Sequence, residues 1–432
     1  MNDIDDFLQP KIKNTSKLCF LILCIAVFEG AVRKWLSPEL GIILMLSRDL
    51  FAFIAIILCL KNYSRYIGIN IIYLLFVWIS IVLVWSLWQL ITNQTSFVLF
   101  IIGLRFWILY LSLAILCGLS MNEYELQFFS KISMYIAILI APLVIIQFFS
   151  PVSSFVNKQL SDDSDSIFTV SEGIVRTTGT FTFTAGQSYF LGLMTPMVLN
   201  GMNTKGLVKM SAMVRILAFI AIFISVMLSG SRSVLLTFLI MAALYVLFEY
   251  FLTIKKIDTV RFFFILLIII GIFLVPLLFA KAIEVMQARF LAASESEDAV
   301  QRILTMFFGE QSAFEKFKVF GYGIGLGSNF SNVFLTGSEG FNLAETEPGR
   351  VILEAGILGI VFILLKWLIA IYIVMRSLRQ TLKFKDSSYL IFALSAAIAI
   401  IIWPISGQIS ANVLGPLVLM FMLSKVFRTI TI

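Results

Sequence analysis

Long apolar segments recur along the whole chain, and they constrain the fold more than any other feature of the sequence. A helix needs roughly 20 mainly apolar residues to cross the hydrocarbon core of a bilayer. Twelve segments approach that length, at about 18–36, 40–60, 67–90, 97–118, 131–150, 187–201, 212–229, 233–253, 261–280, 350–375, 388–404 and 411–425. We therefore predict an all-α integral membrane protein of about twelve transmembrane helices, with residues 1–432 forming a single polytopic domain.

The composition supports a membrane protein and excludes several other classes. Charged residues make up 13% of the chain and hydrophobic residues 60%, whereas a soluble domain carries about 25% charged residues. The net charge of +7 comes mostly from Lys and Arg in short connections, which indicates membrane orientation rather than nucleic-acid binding. The chain has no His, and its four Cys lie inside apolar segments. We therefore expect no metal, no cofactor and no disulfide framework.

The distribution of basic residues predicts which loops face the cytoplasm, because cytoplasmic connections carry an excess of Lys and Arg. With the N-terminus inside, every inner connection has at least one such residue. They are Lys11, Lys13, Lys17, Lys61, Arg65, Lys131, Lys205, Lys209, Arg215, Lys255, Lys256, Arg261, Arg376, Arg379, Lys383, Lys385, Lys425 and Arg428. Arg33 and Lys34 depart from the pattern. An even number of helices places both termini in the cytoplasm, so the long loops 151–186 and 281–349 face outward.

Three charged residues lie at one depth inside two predicted spans, where each costs about 2.5–3.5 kcal/mol to insert. Arg48 and Asp49 lie in ILMLSRDLFAF, and Arg105 lies in FIIGLRFWILY. All three are about 12 Å below the outer surface at 1.5 Å of rise per residue. The structural interpretation is a buried ion pair between Asp49 and Arg105, with a separate partner for Arg48. The functional alternative is that both arginines support a site above them.

Two further arginines lie near the outer surface. Arg232 follows the polar turn Ser229-Gly230-Ser231, and Arg176 opens the stretch RTTGTFTFTAGQSYF. A guanidinium suits bidentate contact with a phosphate, so the two residues could clamp a lipid diphosphate. The alternative for Arg232 is an interface arginine that extends its charged group towards water.

The stretch AETEPGRVILEAGILG, where the second long loop enters a helix, concentrates Glu345, Glu347, Arg350 and Glu354. Pro348 suits the first turn of a helix, and acidic residues there interact favourably with the helix dipole. That explains Glu345 and Glu347 without a function. Glu354 lies one turn into the apolar segment, where the helix dipole gives no reason for it.

Other motifs do not indicate chemistry. The glycine-rich GYGIGLGSN follows no strand of a βαβ unit, so we predict a flexible or close-packed loop rather than a dinucleotide site. Asp162, Asp163 and Asp165 fit a solvated acidic loop better than a calcium site. The sequence has no nucleotide-binding P-loop, which argues against an ATP-driven pump.

The order of these motifs resembles the O-antigen ligase and O-antigen polymerase superfamily of bacterial inner-membrane glycosyltransferases. The resemblance covers most of the chain. Arg176 with Gly179-Thr180-Phe181 looks like the family's Arg…Gly-Thr-Phe segment, and Arg232 with Leu236 looks like its Arg-x-x-x-Leu element. The GYGIG stretch and the loop exit ending in Gly356-Ile357-Leu358-Gly359 are also typical. FEGAVRKWLSP followed by SRDL is similar to a polysaccharide-linked subgroup.

The resemblance implies a GT-C-like helical fold in the bacterial inner membrane and a metal-independent reaction. The donor would be a glycan on undecaprenyl diphosphate, transferred to a sugar hydroxyl at the periplasmic face. Arg176 and Arg232 would stabilise the leaving diphosphate. Glu345 stands where family ligases carry a His, so Glu345, or Glu347 as second choice, would accept the hydroxyl proton.

Substrate-binding roles are expected for the remaining candidates. Arg350 would bind the donor or orient Glu345, and Arg48 and Arg105 would hold the site from beneath. Besides the lipid bilayer and the lipid-linked glycan, we expect a chain-length regulator and a flippase as partner proteins.

Three functions remain open on the sequence. The first is a polymerase that joins lipid-linked repeat units into O-antigen or exopolysaccharide. The second is a ligase that transfers finished glycan to lipid A core or to a protein. The third is a transporter of a lipid-linked saccharide or another anion. A transporter should show repeated halves and helices broken near the midplane, whereas the unusual charges here gather at one face.

Overall fold

The computed structural model describes residues 12–61, 69–158, 169–170, 174–202, 208, 210–252, 299–328, 331, 343–344, 346–404 and 408–427. Within these ranges the chain is almost entirely helical. The helices are α1 (Asn14–Trp35), α2 (Pro38–Lys61), α3 (Ile69–Ile91), α4 (Phe97–Leu104), α5 (Tyr110–Ser120), α6 (Glu123–Phe149), α7 (Thr184–Met202), α8 (Ala212–Leu228), α9 (Arg232–Leu252), α10 (Ala299–Phe308), α11 (Gln311–Glu315), α12 (Glu347–Ala355), α13 (Ile357–Phe384), α14 (Ser388–Ile402) and α15 (Ile409–Val426).

Four short elements complete the described structure. A π-helical segment, Arg105–Leu109, joins α4 to α5, and a 3-10 turn covers Phe155–Asn157. Strands β1 (Thr169–Val170) and β2 (Ile174–Val175) form one antiparallel pair.

Seven membrane-spanning candidates stand out among the described residues by length and apolar composition. They are Asn14–Trp35, Pro38–Lys61, Asn70–Ile91, Phe97–Ser120, Glu123–Phe149, Ile357–Phe384 and Ile409–Val426. Three shorter apolar helices, Ala212–Leu228, Arg232–Phe248 and Ser388–Ile402, coincide with further predicted spans. The predicted span 187–201 corresponds to α7. The predicted span 261–280 lies outside the described residues. The prediction of a multi-pass helical membrane protein is thus supported by the described helices.

Burial divides the helices into a centre and a periphery. In the most apolar 18-residue stretch of α15, 83% of the residues are buried inside the protein, whereas in the corresponding stretch of α3 only 22% are buried. A helix that is apolar on all sides and buried on all sides belongs to a core, and α7 fits that description as well. The helices α2, α3 and α13 direct large apolar side chains outward, as expected where lipid is the solvent.

Ion pairs tie the two ends of the described chain to the same end of the helix bundle. Lys13, just before α1, lies 3.7 Å from Glu125 in the first turn of α6. Lys425, in the last turn of α15, lies 3.3 Å from Glu123 and 3.1 Å from Asp386. We call this the termini end. The opposite end, which holds the connections after α1, α3, α6 and α8, is the loop end.

The segment predicted as one span at 350–375 is two helices. Helix α12 ends at Gly356, whose φ of 59° and ψ of −125° suit only glycine. A side chain at Gly356 would collide with the carbonyl oxygens of Lys318 and Val319. The chain reverses there, and α12 runs back along the first turns of α13. The spanning candidate itself is Ile357–Phe384, so the predicted start of the span was wrong. An apolar pattern does not distinguish one long helix from a helical hairpin.

Candidate functional site

A largely apolar cavity lies between the helices in the half of the bundle nearer the loop end. The empty space between its walls, counted together with the open space at its mouth, is about 520 Å³. Its walls come from the π segment, α5, α12, α13, α14 and α15, through Phe106, Trp107, Leu111, Glu347, Val351, Phe362, Ala399, Ile400, Gly415, Pro416 and Leu419. Glu347 is the one ionisable residue in that lining. A lone acid on an apolar wall makes the cavity the starting point for locating a site.

Glu347 lies on the cavity wall because of how α12 begins. Thr346 caps the helix by accepting a hydrogen bond from the Gly349 amide, and Pro348 occupies the first turn. The reversal at Gly356 then carries this N-terminus back along α13. As a result, Lys366 Nζ lies 3.9 Å from Glu347 Oε1. Both residues are buried, Lys366 with 4% and Glu347 with 3% of its surface exposed. The pair is thus a buried ion pair next to an apolar cavity.

Arg350 lies one turn further along α12 and is 2% exposed. Its Nε donates to the Thr346 carbonyl at 3.4 Å. Burial lowers the pKa of Arg350, while the nearby charge of Glu347 and the Tyr189 hydroxyl oppose that shift. Tyr189, on the second turn of α7, also packs against Trp403 at 4.9 Å between ring centroids. Arg350 on α12 thus interacts electrostatically with Glu347 and with Tyr189 on α7.

Glu354 is fully buried and binds the glycine-rich stretch that precedes α12. Its Oε1 accepts a hydrogen bond from the Gly327 amide at 2.8 Å, and its Oε2 accepts one from Trp107 Nε1 at 3.1 Å. Burial raises the pKa of Glu354 to about 7, although these hydrogen bonds oppose the shift. This acid, which the helix dipole left unexplained, thus fastens a loop to the cavity wall.

The glycine-rich stretch is close-packed over the part that the structure describes. Gly321, Gly323 and Gly325 all have positive φ. A side chain at Gly325 would meet the backbone of Gly103 at 2.7 Å, so only glycine permits the loop to lie against α4. Gln89 secures it from α3, because its side chain accepts from the Ile324 amide at 3.0 Å and donates to the Glu354 carbonyl at 2.9 Å.

The charged residues inside the predicted spans form one buried network. Arg105 Nε lies 2.5 Å from Asp49 Oδ2, which confirms the expected pair. Arg48 has its own partner, Glu29 of α1, at 2.7 Å. The Tyr110 hydroxyl joins the two pairs, since it accepts from Arg48 Nε at 3.0 Å and donates to Asp49 Oδ1 at 2.5 Å. The network fastens α1, α2 and the α4–α5 region together.

The π segment links this network to the cavity. It begins at Arg105, which turns towards Asp49, while the next two residues, Phe106 and Trp107, line the cavity. A π segment inside an α-helix is rare and is often found at functional sites. Arg48 and Arg105 therefore lie behind the cavity wall, paired with acids, and not on its surface.

Arg176 and Arg232 are brought to the same turn. Helix α8 ends at Leu228 and α9 begins at Arg232, with Gly230 between them at a φ of 62°. A side chain at Gly230 would meet Cγ of Arg176 at 3.7 Å. The neighbouring Thr177 donates its hydroxyl to the Leu228 carbonyl at 3.2 Å. The two arginines belong to segments far apart in sequence, and both are partly exposed.

The predicted site residues thus have different outcomes. Arg176 and Arg232 meet at one turn, Glu347 and Arg350 lie together on α12, and Arg48 and Arg105 form the buried network. Glu345 lies outside the described residues, as do Asp162, Asp163 and Asp165. Within the described ranges, no cluster of three or more His, Cys, Asp or Glu side chains is arranged to hold a metal ion.

Sequence reasoning missed Lys366, Trp107 and Tyr189. A signal existed for Lys366, because a lysine inside an apolar span has the same insertion cost that drew attention to Arg48. Trp107 and Tyr189 gave no such signal, since aromatic residues are common throughout this chain.

Comparisons of the chain with protein-family models, with curated proteins and with solved structures found no match.

Proposed function

We propose that the chain is a glycosyltransferase that joins oligosaccharide repeat units carried on undecaprenyl diphosphate. In this proposal it spans the bacterial inner membrane about twelve times in a GT-C-like arrangement. Both termini lie in the cytoplasm, and the loop end faces the periplasm. The basic inner connections support this orientation, as does the position of Lys13 and Lys425 at one end of α6.

The arginine pair at the α8–α9 turn is the observation that carries the proposal. A diphosphate leaving group gains charge as its bond to the sugar breaks, and fixed cations beside it stabilise that charge. Arg176 and Arg232 come from separate segments to one turn, and guanidinium groups suit phosphate oxygens. They are assigned to the diphosphate.

A carboxylate at the same end of the bundle supplies the proton acceptor. Glu347, one of the two candidate bases, lies on the cavity wall, and that position supports its assignment as the proton acceptor. Lys366 and Arg350 place positive charge near it. Glu345 remains the alternative base.

The reaction balances without a further reactant. The hydroxyl oxygen of the acceptor sugar attacks the anomeric carbon of the donor, and its proton moves to the carboxylate. The bond between the anomeric carbon and the phosphate oxygen breaks, and its electron pair leaves with the diphosphate. The products are a glycan longer by the transferred unit and free undecaprenyl diphosphate.

The proposal is tested in cells that produce the glycan. Arg176→Ala and Arg232→Ala should abolish long chains and leave single repeat units on the lipid carrier. Arg215→Ala is the matched control, because Arg215 lies in α8 at the termini end, where it donates to the Met210 carbonyl at 3.1 Å. Wild-type chain lengths in both loop-end variants, with normal protein levels, would overturn the proposal.

The same cells distinguish the alternatives. A product attached to lipid A core or to a protein would indicate a ligase instead of a polymerase. Movement of a lipid-linked saccharide across the membrane without a new glycosidic bond would indicate a transporter.

A further inference from the structure

The end of α1 carries the stretch FEGAVRKWLSP, and the proposed reaction gives it no role. In the structure this stretch packs against the segment that follows Arg176. Gly30 approaches it so closely that a side chain there would lie 2.8 Å from the Phe181 Cα. Val27 accepts a hydrogen bond from the Thr180 hydroxyl at 2.5 Å. The α1 stretch therefore forms a wall for the segment that carries Arg176.

Lys34 makes the most specific contact in this wall. Its Nζ donates to the Gly179 carbonyl at 2.8 Å and to the Thr178 hydroxyl at 3.1 Å. Lys34 is only 2% exposed, although lysines are almost never fully buried without partners. The buried ammonium is thus committed to the turn at Gly179.

Gln147 holds the same turn from α6. Its Oε1 accepts from the Gly179 amide at 2.8 Å, and its Nε2 donates to the Gly179 carbonyl at 3.0 Å. Gln147 is fully buried. Gly179 has a φ of 55°, a conformation that most other residues avoid, so both backbone polar groups of this glycine depend on two side chains.

The Gly179 turn is connected to Arg176 and Arg232 through a short stretch of chain. Arg176 lies three residues before Gly179 in the sequence, and Thr177 between them is bonded to the end of α8. Arg176 passes beside Gly230, in the turn that leads to Arg232. A shift of the Gly179 turn would therefore move Arg176 relative to Arg232.

We propose that Lys34 and Gln147 are positioning residues, which fix the Gly179 turn and thereby hold the Arg176 guanidinium beside the α8–α9 turn. This inference rests on the proposed function, because it assigns Arg176 to the diphosphate. Neither residue contacts the substrate. Their effect on turnover passes through Arg176.

The test measures chain elongation by purified protein in lipid vesicles supplied with an undecaprenyl-diphosphate-linked oligosaccharide. Lys34→Met should lower kcat by about 10- to 100-fold with little change in KM, because misplacement of a catalytic group by about 1 Å costs a factor of that order. Gln147→Glu keeps the acceptor for the Gly179 amide, but it removes the donor to the Gly179 and Val156 carbonyls and faces them with a buried carboxylate. It should therefore also lower kcat, by about 10-fold or more.

A control residue that packs against the same turn, Gln187 of α7, separates a positioning effect from general disturbance of the turn. Gln187 is also fully buried, and its carboxamide lies against Gly179, but neither polar atom has a hydrogen-bond partner in the described structure. Gln187→Met should therefore leave kcat and the unfolding midpoint unchanged or slightly raised, because it removes a polar group that makes no bond.

The decisive readout is a double-mutant cycle with Arg176→Lys, which keeps a charge but loses the fork geometry. If Lys34 acts through Arg176, Lys34→Met should lower kcat by less than about 3-fold in the Arg176→Lys background. Full multiplication of the two effects, or unchanged kcat in Lys34→Met and in Gln147→Glu, would overturn the inference. A different result would overturn the proposed function itself, namely normal turnover in Arg176→Ala.

Discussion

The side-chain nitrogen of Lys366 lies 3.9 Å from a carboxylate oxygen of Glu347, in the wall of an apolar cavity. The contact exists because the chain reverses at Gly356, so that the start of α12 lies beside the interior of α13. The reversal has two consequences. It places an acid inside the helix bundle, and it supplies that acid with a cation from the neighbouring helix.

Removing the cation of this pair should destabilise the protein. Lys366→Met leaves the Glu347 carboxylate buried beside an apolar side chain, and breaking a buried pair typically costs about 3 kcal/mol. The double change Lys366→Met with Glu347→Gln should recover most of the loss, because no buried charge of the pair then remains. Thermal unfolding in detergent measures both. Equal losses in the single and double variants would contradict the pairing.

Tyr110 should be important to stability because its hydroxyl joins both ion pairs of the buried network. Tyr110→Phe removes the bond from Arg48 and the bond to Asp49, and unsatisfied buried partners cost about 1–3 kcal/mol. Tyr135→Phe is the control, since Tyr135 is 49% exposed on α6 and should change stability by less than about 0.5 kcal/mol. If Tyr110→Phe lost no more stability than Tyr135→Phe, the Tyr110 hydroxyl would contribute nothing to the stability of the network.

Glu354 predicts a pH dependence of stability. Its pKa is about 7 in the folded protein, against an ordinary value of 4.5. Between these values the unfolded chain has released this proton and the folded chain retains it. Stability therefore falls as the pH rises from about 4.5 to 7, by at most about 1.4 kcal/mol per pH unit. Above about pH 7 the contribution of this residue becomes constant.

The check compares unfolding midpoints of wild type and Glu354→Gln between pH 5 and pH 8. The variant is neutral at every pH, so its midpoint should lose this part of the slope. Glu39→Gln, at an exposed position near the start of α2, should keep the wild-type slope. Parallel curves for wild type and Glu354→Gln would exclude the assignment.

The reversal at Gly356 should not tolerate a side chain. Gly356→Ala places a methyl group against the Val319 carbonyl in a backbone conformation that alanine avoids, which costs about 1–3 kcal/mol from backbone strain alone. Gly201→Ala is the comparison, because the added methyl group meets the flexible ends of Met134 and Met210 and no backbone atom among its nearest neighbours. Similar unfolding midpoints for the two variants would mean that the turn relaxes at little cost.

The sequence predicted the long apolar helices of the described residues and the Asp49–Arg105 pair for a simple reason. Both depend on the cost of placing polar groups in lipid, and that cost is read directly from residue type and position. The same criterion predicted that Arg48 would have its own partner, which the structure identifies as Glu29.

The α12–α13 hairpin could not be predicted in the same way. The residues on both sides of Gly356 are mostly apolar, and a single glycine between them is compatible with a continuous helix. What breaks the helix at Gly356 is a tertiary contact with the chain at Val319, whose carbonyl also accepts from the Ile357 amide at 2.9 Å. The pairing of Lys366 with Glu347 follows from that reversal and was missed with it.

The meeting of Arg176 with the Gly230 turn also depends on tertiary structure. The sequence predicted that both arginines lie near the outer surface, but it could not predict that they share a turn. That arrangement depends on Thr177 binding the end of α8 and on the glycine turn that α1 and α6 hold in place.

The most direct test of the proposed glycosyltransferase uses purified protein in vesicles with a radiolabelled oligosaccharide on undecaprenyl diphosphate. We predict glycans longer than one repeat unit and release of one undecaprenyl diphosphate for each bond formed. Arg176→Ala and Arg232→Ala should lack this activity, and Arg215→Ala should retain it. The contradicting result would be folded wild-type protein that forms no glycan longer than one repeat unit, whichever oligosaccharide repeat unit is supplied as donor and acceptor.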